Sequence, residues 1–410
     1  MMNFTTTITT EALLCFIAFV ASLIAYPIVL AIAKEHNIMD NPNARKLQRN
    51  PVPVMGGIAV FIGILVPVLI FNITINDRIM WVGALAMVIM LVVGLIDDIW
   101  DISAVQRFIL ELGLMYGVIV ATKMGINSLD GLWGVYDLPL TVLLPLSLIS
   151  GVGIINSINL IDGVDGYSSG FCTMACMLFG IYAYQVGDIL MGRMAVICAG
   201  ALLPFFLHNV FGDKSKMYIG DSGTLMLGTM LAMFVFRVMS RNVNDGMGKP
   251  EGMGLVPFTL AVMSIPVFDT LRVMCVRIYR GRSPFHPDKT HLHHLFIDLG
   301  FSHIGTTVFI LTINFMVVVV WFLAWKLGAS IDAQLYIVVG MSILTTFGFY
   351  HFMRLQYNRG PLDENGRHLG NRLWRFFCVM GDLSHFERRG IWGFMRKLMD
   401  GYWWSNNKEN

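Results

Sequence analysis

The sequence predicts an all-α, polytopic integral membrane protein of about eleven transmembrane helices, N-terminus outside and C-terminus cytoplasmic. Three observations carry that prediction. Only 14% of the 410 residues are charged and 56% are hydrophobic, against roughly 25% charged in a soluble domain. The apolar residues gather into runs close to the ~20 residues that cross a bilayer. Basic residues concentrate in the connections 34–53 and 280–303 and in the tail, all on one side of the alternating spans, and the positive-inside rule assigns that side to the cytoplasm. The net charge of +2 is uninformative about partners, because its placement matters more than its sum, and nothing in it points to nucleic acid.

The first run, 11–33, follows a leader without a basic residue, so it reads as a retained span and not a cleavable signal. The connection 34–53 carries Lys34, Arg45, Lys46 and Arg49. Spans 54–72 and 79–97 follow, and the third ends in Asp97-Asp98-Ile-Trp-Asp101. If that helix continues, Asp97 and Asp101 are i,i+4 neighbours. Carboxylates that close at a helix C-terminus need Mg²⁺ or a nearby Lys or Arg, unless this is a plain solvated helix end.

Spans 104–123 and 139–158 come next, the latter running into Asn156-Ser-Ile-Asn159-Leu-Ile-Asp162-Gly-Val-Asp165-Gly166. On a helix the first three polar residues share a face, and Gly163 and Gly166 let the backbone turn or approach a ligand. Amide and carboxylate oxygens at this density suit a hard cation or a ribose–phosphate ligand. Spans 168–186 and 189–208 share a tight turn near Gly187-Asp188, and His208-Asn209 closes the seventh. Lys214 and Lys216 then precede Tyr218-Ile-Gly-Asp221-Ser-Gly223 at the start of span 222–239. There Asp221 either caps the helix or serves Mg²⁺ or phosphate.

Span 255–279 leads into 280–303, with Arg280, Arg282, Lys289, His286, His291, His293 and His294. His-x-His-His could ligate zinc, but no matching cysteines accompany it, and a donor wall for phosphate fits better. None of the six cysteines forms a CxxC pair, so disulfides and thiolate metal sites are not expected. Spans 304–326 and 333–354 complete a membrane domain over 1–354. The tail, 355–410, mixes Arg and Lys with Trp374, Phe376, Phe377, Trp392, Trp403 and Trp404, as expected of cytoplasmic helices at the membrane interface.

This topology puts all four polar cassettes on the cytoplasmic face. Acid clusters for Mg²⁺ beside a His/Arg/Lys loop for phosphate suit a diphosphate substrate, and the membrane setting suggests a lipid as the second. A transporter would place its charges near the midplane on broken helices, whereas these lie at span ends.

The cassettes resemble those of the polyprenyl-phosphate N-acetylhexosamine-1-phosphate transferases. The matching residues are Asp97-Asp98, Asn156-x-x-Asn159-x-x-Asp162-Gly-x-Asp165-Gly166, Gly220-Asp221-Ser-Gly223 and His291-x-His293-His294, together with Asn43-Ala-Arg45-Lys46 and Pro51-Val-Pro53-x-x-Gly56-Gly57. The resemblance runs from about 37 to 300 and leaves the tail uncovered. Within the family the chain is similar to the branch that moves GlcNAc-1-phosphate from UDP-GlcNAc to undecaprenyl phosphate in the bacterial inner membrane, starting a cell-surface polysaccharide. The phospho-MurNAc-pentapeptide transferases typically carry three consecutive histidines and a lysine after the acid pair, where this chain has Leu292 and Asp101.

The resemblance implies attack of the lipid phosphate on the sugar-bearing phosphorus, with release of UMP. It further implies Mg²⁺, with Mn²⁺ able to substitute, on Asp221 and Asn159. Asp97 and Asp98 would position or deprotonate the lipid phosphate, and Asp162 and Asp165 would hold the nucleotide or sugar. His291, His293 and His294 would neutralise the diphosphate, and Asn156, Asn209, Arg45, Lys46 and Arg282 would bind substrate. It also leaves room for a homodimer.

Overall fold

The computed structural model describes residues 4–41, 50–73, 78–240, 248–284, 289–361, 370–381 and 391–404. Each of the eleven expected apolar runs is helical. The first eight helices are α1 (Phe4–Glu35), α2 (Gly56–Ile70), α3 (Arg78–Trp100), α4 (Ala104–Thr122), α5 (Leu140–Leu160), α6 (Tyr167–Val186), α7 (Ile189–Phe211) and α8 (Gly220–Met239). They are followed by α9 (Leu255–Val262), α10 (Ser264–Tyr279), α11 (Leu292–Asp298), α12 (His303–Lys326), α13 (Ile331–Ile343) and α14 (Phe349–Asn358), with a π-turn over Leu344–Gly348 joining the last two. The tail adds α15 (Arg372–Gly381) and α16 (Ile391–Trp404).

Among the described residues, nine helices are long and apolar enough to cross a membrane, and the bent pair α9–α10 makes a tenth. The protein is therefore a multi-pass membrane protein. The second expected span is shorter than the bilayer requires: α2 has 15 residues, about 22 Å at 1.5 Å per residue against a hydrocarbon core of about 30 Å.

The run expected as one span over 255–279 is instead two helices bent by 77°. Pro266 explains the break, because it lacks an N–H and its ring clashes with the carbonyl four residues back, at Val262. Backbone freed inside a membrane needs partners, and Asn314 of α12 supplies them. Its Oδ1 accepts from Ile265 N–H and Ser264 Oγ, both at 2.9 Å, and its Nδ2 donates to Val262 O at 3.0 Å.

Local chemistry sets the other boundaries. Ser103 and Gln106 form a reciprocal capping box at the start of α4. Gly187, at φ 85°, ends α6 in the left-handed region, and Asp188 caps α7 through Met191 N–H at 3.0 Å.

α8 is the axis of the molecule, and its membrane window is entirely buried. α2, α3 and α5 pack directly against it, and small residues allow the approach. A β-carbon at Gly57 would run into Gly223, and one at Gly94 would run into the Asp221 carbonyl and the Ser222 amide. The first connection is stitched to the same place. Short strands β1 (Met39–Asp40) and β2 (Val52–Pro53) pair antiparallel. Tyr218 N–H then donates to Pro53 O at 2.8 Å, and the Gly56 and Gly57 amides donate to Tyr218 O and Ile219 O at 2.9 Å. The proline–glycine motif of the first connection therefore positions the start of α8.

Candidate active site

α3 ends at Trp100, so the expected helical stacking of Asp101 on Asp97 does not occur. Asp101 sits at φ 54°, exposed, while its amide closes the turn on Asp97 O at 2.9 Å. The remaining acid pair divides its work. Asp97 is buried; its Oδ1 accepts from Ile102 N–H at 2.7 Å and its Oδ2 from Arg107 Nη1 at 2.9 Å. Asp98 reaches across to α8, where its two oxygens accept from the Asp221 and Ser222 amides at 2.8 and 3.1 Å. A carboxylate on two open N–H groups at a helix start is a cap, here lent by a different helix. Asp221 does not cap its own helix; it lies in the first turn of α8.

Two further elements converge on Asp221. Asn159, near the end of α5, donates through Nδ2 to Asp221 Oδ1 at 2.5 Å and to Thr224 Oγ1 at 2.9 Å. Arg107 of α4 stands 3.5 Å from Asp221 Oδ2, and the Asp221 side chain remains 34% exposed. Arg107 also approaches Glu111 at 3.8 Å, and the fully buried Glu111 accepts from Asn156 Nδ2. The cation that the acid cluster requires is thus Arg107, reaching Asp97, Asp221 and Glu111 together. Neither Arg107 nor Glu111 was singled out in the sequence, although an i,i+4 charged pair inside an apolar run is a functional signal.

The other two acids of the second cassette lie beyond α5 and face different partners. Asp162 accepts from Ser168 Oγ at 2.5 Å. Burial pushes its carboxyl well above the usual carboxylate range; nearby Asp221, Asp98 and Asp165 push the same way against the Ser168 hydrogen bond. Asp165 pairs with Lys216 Nζ at 2.6 Å and His303 Nδ1 at 3.0 Å. Although burial opposes it, the His303 hydrogen bond and the Lys216 charge hold this carboxyl below its ordinary value. Two acids three residues apart are driven in opposite directions, so Asp162 belongs with the acid group and Asp165 with the basic one. Gly166, at φ 75°, turns the chain between them and α6.

Asn209 is buried and staples this loop to the next. Its Oδ1 accepts from Gly166 N–H at 2.7 Å and its Nδ2 donates to Met217 O at 3.0 Å. Both ends of the Asn209 amide, expected to bind substrate, are thereby committed to backbone.

The histidine cassette opens α11 and lies over the second. The His293 ring occupies the space that a side chain at Gly163 would need. It is also flanked by His291 and His294, at centroid separations of 5.7 and 4.3 Å. Burial, then the charges of His294 and His291, lower His293 well below the ordinary histidine value; burial and His291 lower His294 to about 4. At neutral pH these two rings are hydrogen-bonding groups and not fixed charges. His291 Nδ1 lies 3.0 Å from Asp269 Oδ2, while its Nε2 is buried without a hydrogen-bond partner among the described residues. Asp269 also accepts from Arg272 Nη2 at 2.7 Å, and Arg272 stacks 3.9 Å above the Tyr350 ring. Asp269 and Arg272, which orient the cassette, escaped the sequence reading. Arg282 is exposed on the turn after α10. Arg45 and Lys46 lie outside the described residues.

All four cassettes therefore meet at one end of the bundle. Residues 80–239 match the family described as Glycosyl transferase family 4. A Bacillus subtilis (strain 168) protein named "Probable undecaprenyl-phosphate N-acetylglucosaminyl 1-phosphate transferase" is 30% identical over 306 residues, covering 73% of this chain and 82% of its own length. A decaprenyl-phosphate N-acetylglucosaminephosphotransferase of Mycobacterium tuberculosis (strain ATCC 25618 / H37Rv) is 32% identical over 64% of this chain and 69% of its own. An undecaprenyl-phosphate alpha-N-acetylglucosaminyl 1-phosphate transferase of Escherichia coli (strain K12) is 27% identical over 66% and 72%. The motif order, the converging cassettes and these likenesses agree, and the chain belongs to glycosyl transferase family 4, among the polyprenyl-phosphate N-acetylhexosamine-1-phosphate transferases.

Proposed function

We propose that the protein transfers GlcNAc 1-phosphate from UDP-GlcNAc to undecaprenyl phosphate at the cytoplasmic face of the bacterial inner membrane, with Mg²⁺ at Asp221. The relatives named above act on polyprenyl phosphate and an N-acetylglucosaminyl donor by their names. The observation that carries the reading is the convergence of three helices on Asp221: α3 holds its backbone amide, and α4 and α5 reach its partly exposed carboxylate.

The donor chemistry there fits a hard cation: Asp221 offers carboxylate oxygens, and Asn159 adds an amide oxygen. Among the described residues no three His, Cys, Asp or Glu side chains are drawn up as a metal site. Substrate phosphates and water would complete the shell, as Mg²⁺ commonly requires. When bound, the ion neutralises the diphosphate and stabilises the charge on the leaving UMP.

The lipid phosphate has a second pKa near 6 and is already largely ionised at neutral pH, so the site needs positioning more than a strong base. Asp98 is occupied by two backbone amides and fixes Asp221. Arg107 balances the acids and keeps them from repelling an incoming phosphate. A lipid phosphate oxygen forms a bond to the sugar-bearing phosphorus as that phosphorus loses its bond to UMP. His291 Nε2, buried and without a partner among the described residues, offers one polar atom to the diphosphate.

Purified protein with Mg²⁺ and undecaprenyl phosphate is expected to release UMP from UDP-GlcNAc in preference to UDP-GalNAc or UDP-MurNAc-pentapeptide. Absence of release from UDP-GlcNAc in folded protein would reject the reading.

A further inference from the structure

The tail returns to the site end of the bundle, and one of its carboxylates fills an ordered cradle. Asp400, in α16, accepts from three successive backbone N–H groups. These are Asp213 at 3.1 and 3.2 Å, Lys214 at 3.1 Å and Ser215 at 3.1 Å. The Ser215 hydroxyl adds a fourth donor at 3.0 Å. Consecutive amides converging on one anion form a nest, and each bond is charge-assisted. Arg396, one turn earlier, stands 3.8 Å from the Asp213 carboxylate.

The same turn is held from the bundle side. Tyr26 donates to Ser215 O at 2.8 Å, His208 Nδ1 lies 3.2 Å from Ser215 Oγ, and Lys34 Nζ donates to Lys214 O at 3.0 Å. The next residue is Lys216, whose ammonium sits 2.6 Å from Asp165. A carboxylate of the tail is therefore separated from an ion pair of the site by a single residue of chain.

We propose that Asp400 is a positioning residue: it clamps the turn at 213–215 so that Lys216 is held on Asp165. The residues matched by the family end at 239, so the turn at 213–215 lies within the matched region and Asp400, which clamps it, lies outside. The inference rests on the transferase reading for its kinetic consequence, but not for its structural one. Without Asp400, three amides of a half-exposed turn pass to water, and the Lys216 stem loses its fixed origin. Asp165 then keeps only His303. The loop that carries Asp162 and Asp165 loosens, which weakens the hold on the nucleotide sugar while leaving Asp98, Arg107 and Asp221 in place.

The test uses the full-length protein with Asp400→Ala, Asp400→Glu, Lys216→Met and the double variant Asp400→Ala/Lys216→Met. Amide hydrogen exchange over 212–217 is expected to quicken roughly tenfold or more in Asp400→Ala, as three charge-assisted bonds are lost. KM for the UDP-sugar is expected to rise about three- to tenfold with kcat within about twofold, and Asp400→Glu to recover part of both effects. In the double variant KM should not exceed that of Lys216→Met alone, because both changes remove one chain of contacts. Unchanged exchange in Asp400→Ala overturns the clamp, and multiplying KM effects overturn its route through Lys216. Should Asp400→Ala fail to fold, Asp400→Asn keeps one acceptor oxygen and is expected to show an intermediate exchange rate; a wild-type rate there also overturns the clamp. A wild-type protein inactive on UDP-GlcNAc would reject the transferase reading and leave the exchange result standing.

Discussion

Asp98 and Asp221 touch each other through backbone and side chain, yet their surroundings give them different duties. Asp98 has both oxygens on amides of α8, whereas Asp221 Oδ2 makes a long contact with Arg107, at 3.5 Å. Asp98→Ala removes a cap and is expected to lower stability by about 0.5–2 kcal/mol together with activity. Asp221→Asn relieves a crowded acid group, so it should keep or raise the thermal midpoint while UMP release falls about 100-fold or more. Melting and UMP release measured on the same detergent preparations separate the two, and an active Asp221→Asn would remove that residue from the mechanism. His294 gives a second prediction at this scale. Its native value is lowered to about 4, with burial the largest cause, against about 6.5 unfolded. Between those values the unfolded chain binds more protons, so stability is full above about pH 6.5 and is lost as the pH falls toward 4. For one such ring the loss is on the order of 2 kcal/mol at pH 5. The apparent melting temperature should therefore fall from pH 7.5 to 5, and His294→Gln should flatten part of that slope. An equal slope in the variant would mean that other groups carry it.

At the scale of elements, the crossing of α3 over the start of α8 holds the site together. Gly94 leaves no room for a β-carbon against the Asp221 carbonyl and the Ser222 amide, so Gly94→Ala must push the two helices apart. Overpacking of this kind costs about 1–3 kcal/mol. Because it displaces the amides that Asp98 caps, UMP release is expected to fall by more than the melting shift alone explains. Gly117, with nothing within 4 Å of an added β-carbon, is the control expected to tolerate alanine. Wild-type activity in Gly94→Ala would show that the crossing does not set the geometry. The helices themselves were legible in the sequence, because apolar runs and turn residues act locally. The four cassettes were legible too, since polar residues at span ends stand out against hydrocarbon. Contacts between helices were not: that Asp98 caps α8, and that His293 fills the space over Gly163, depends on how distant elements pack. Arg107 with Glu111, and Asp269 with Arg272, lie between. Both pairs are visible as charges inside apolar runs, but their partners across the bundle are not. The break after Val262 was readable from Pro266, and its repair by Asn314, 49 or more residues away, was not.

For the molecule as a whole, the distribution of charge between its two ends has a consequence for sidedness. The acid group, the histidines, Lys216 and the nest around Asp400 occupy one end. The other end carries separate ion pairs, Arg237 with Asp188 at 2.9 Å and Lys249 with Asp130 at 2.7 Å. α12 spans the two, starting at His303 beside Asp165 and ending before Leu327, which is 86% exposed. Described cations of the basic connections, Lys34 and Lys216 among them, lie with the site, and the positive-inside rule then predicts that this end faces the cytoplasm, where nucleotide sugars are made. In a background lacking the six native cysteines, Asp213→Cys and Leu327→Cys place one thiol at each end. A membrane-impermeant maleimide added to intact spheroplasts is expected to label Leu327→Cys and spare Asp213→Cys, and inverted vesicles should reverse the pattern. Labelling of Asp213→Cys from outside would place the site away from its donor, because a diphosphate sugar cannot cross hydrocarbon unaided.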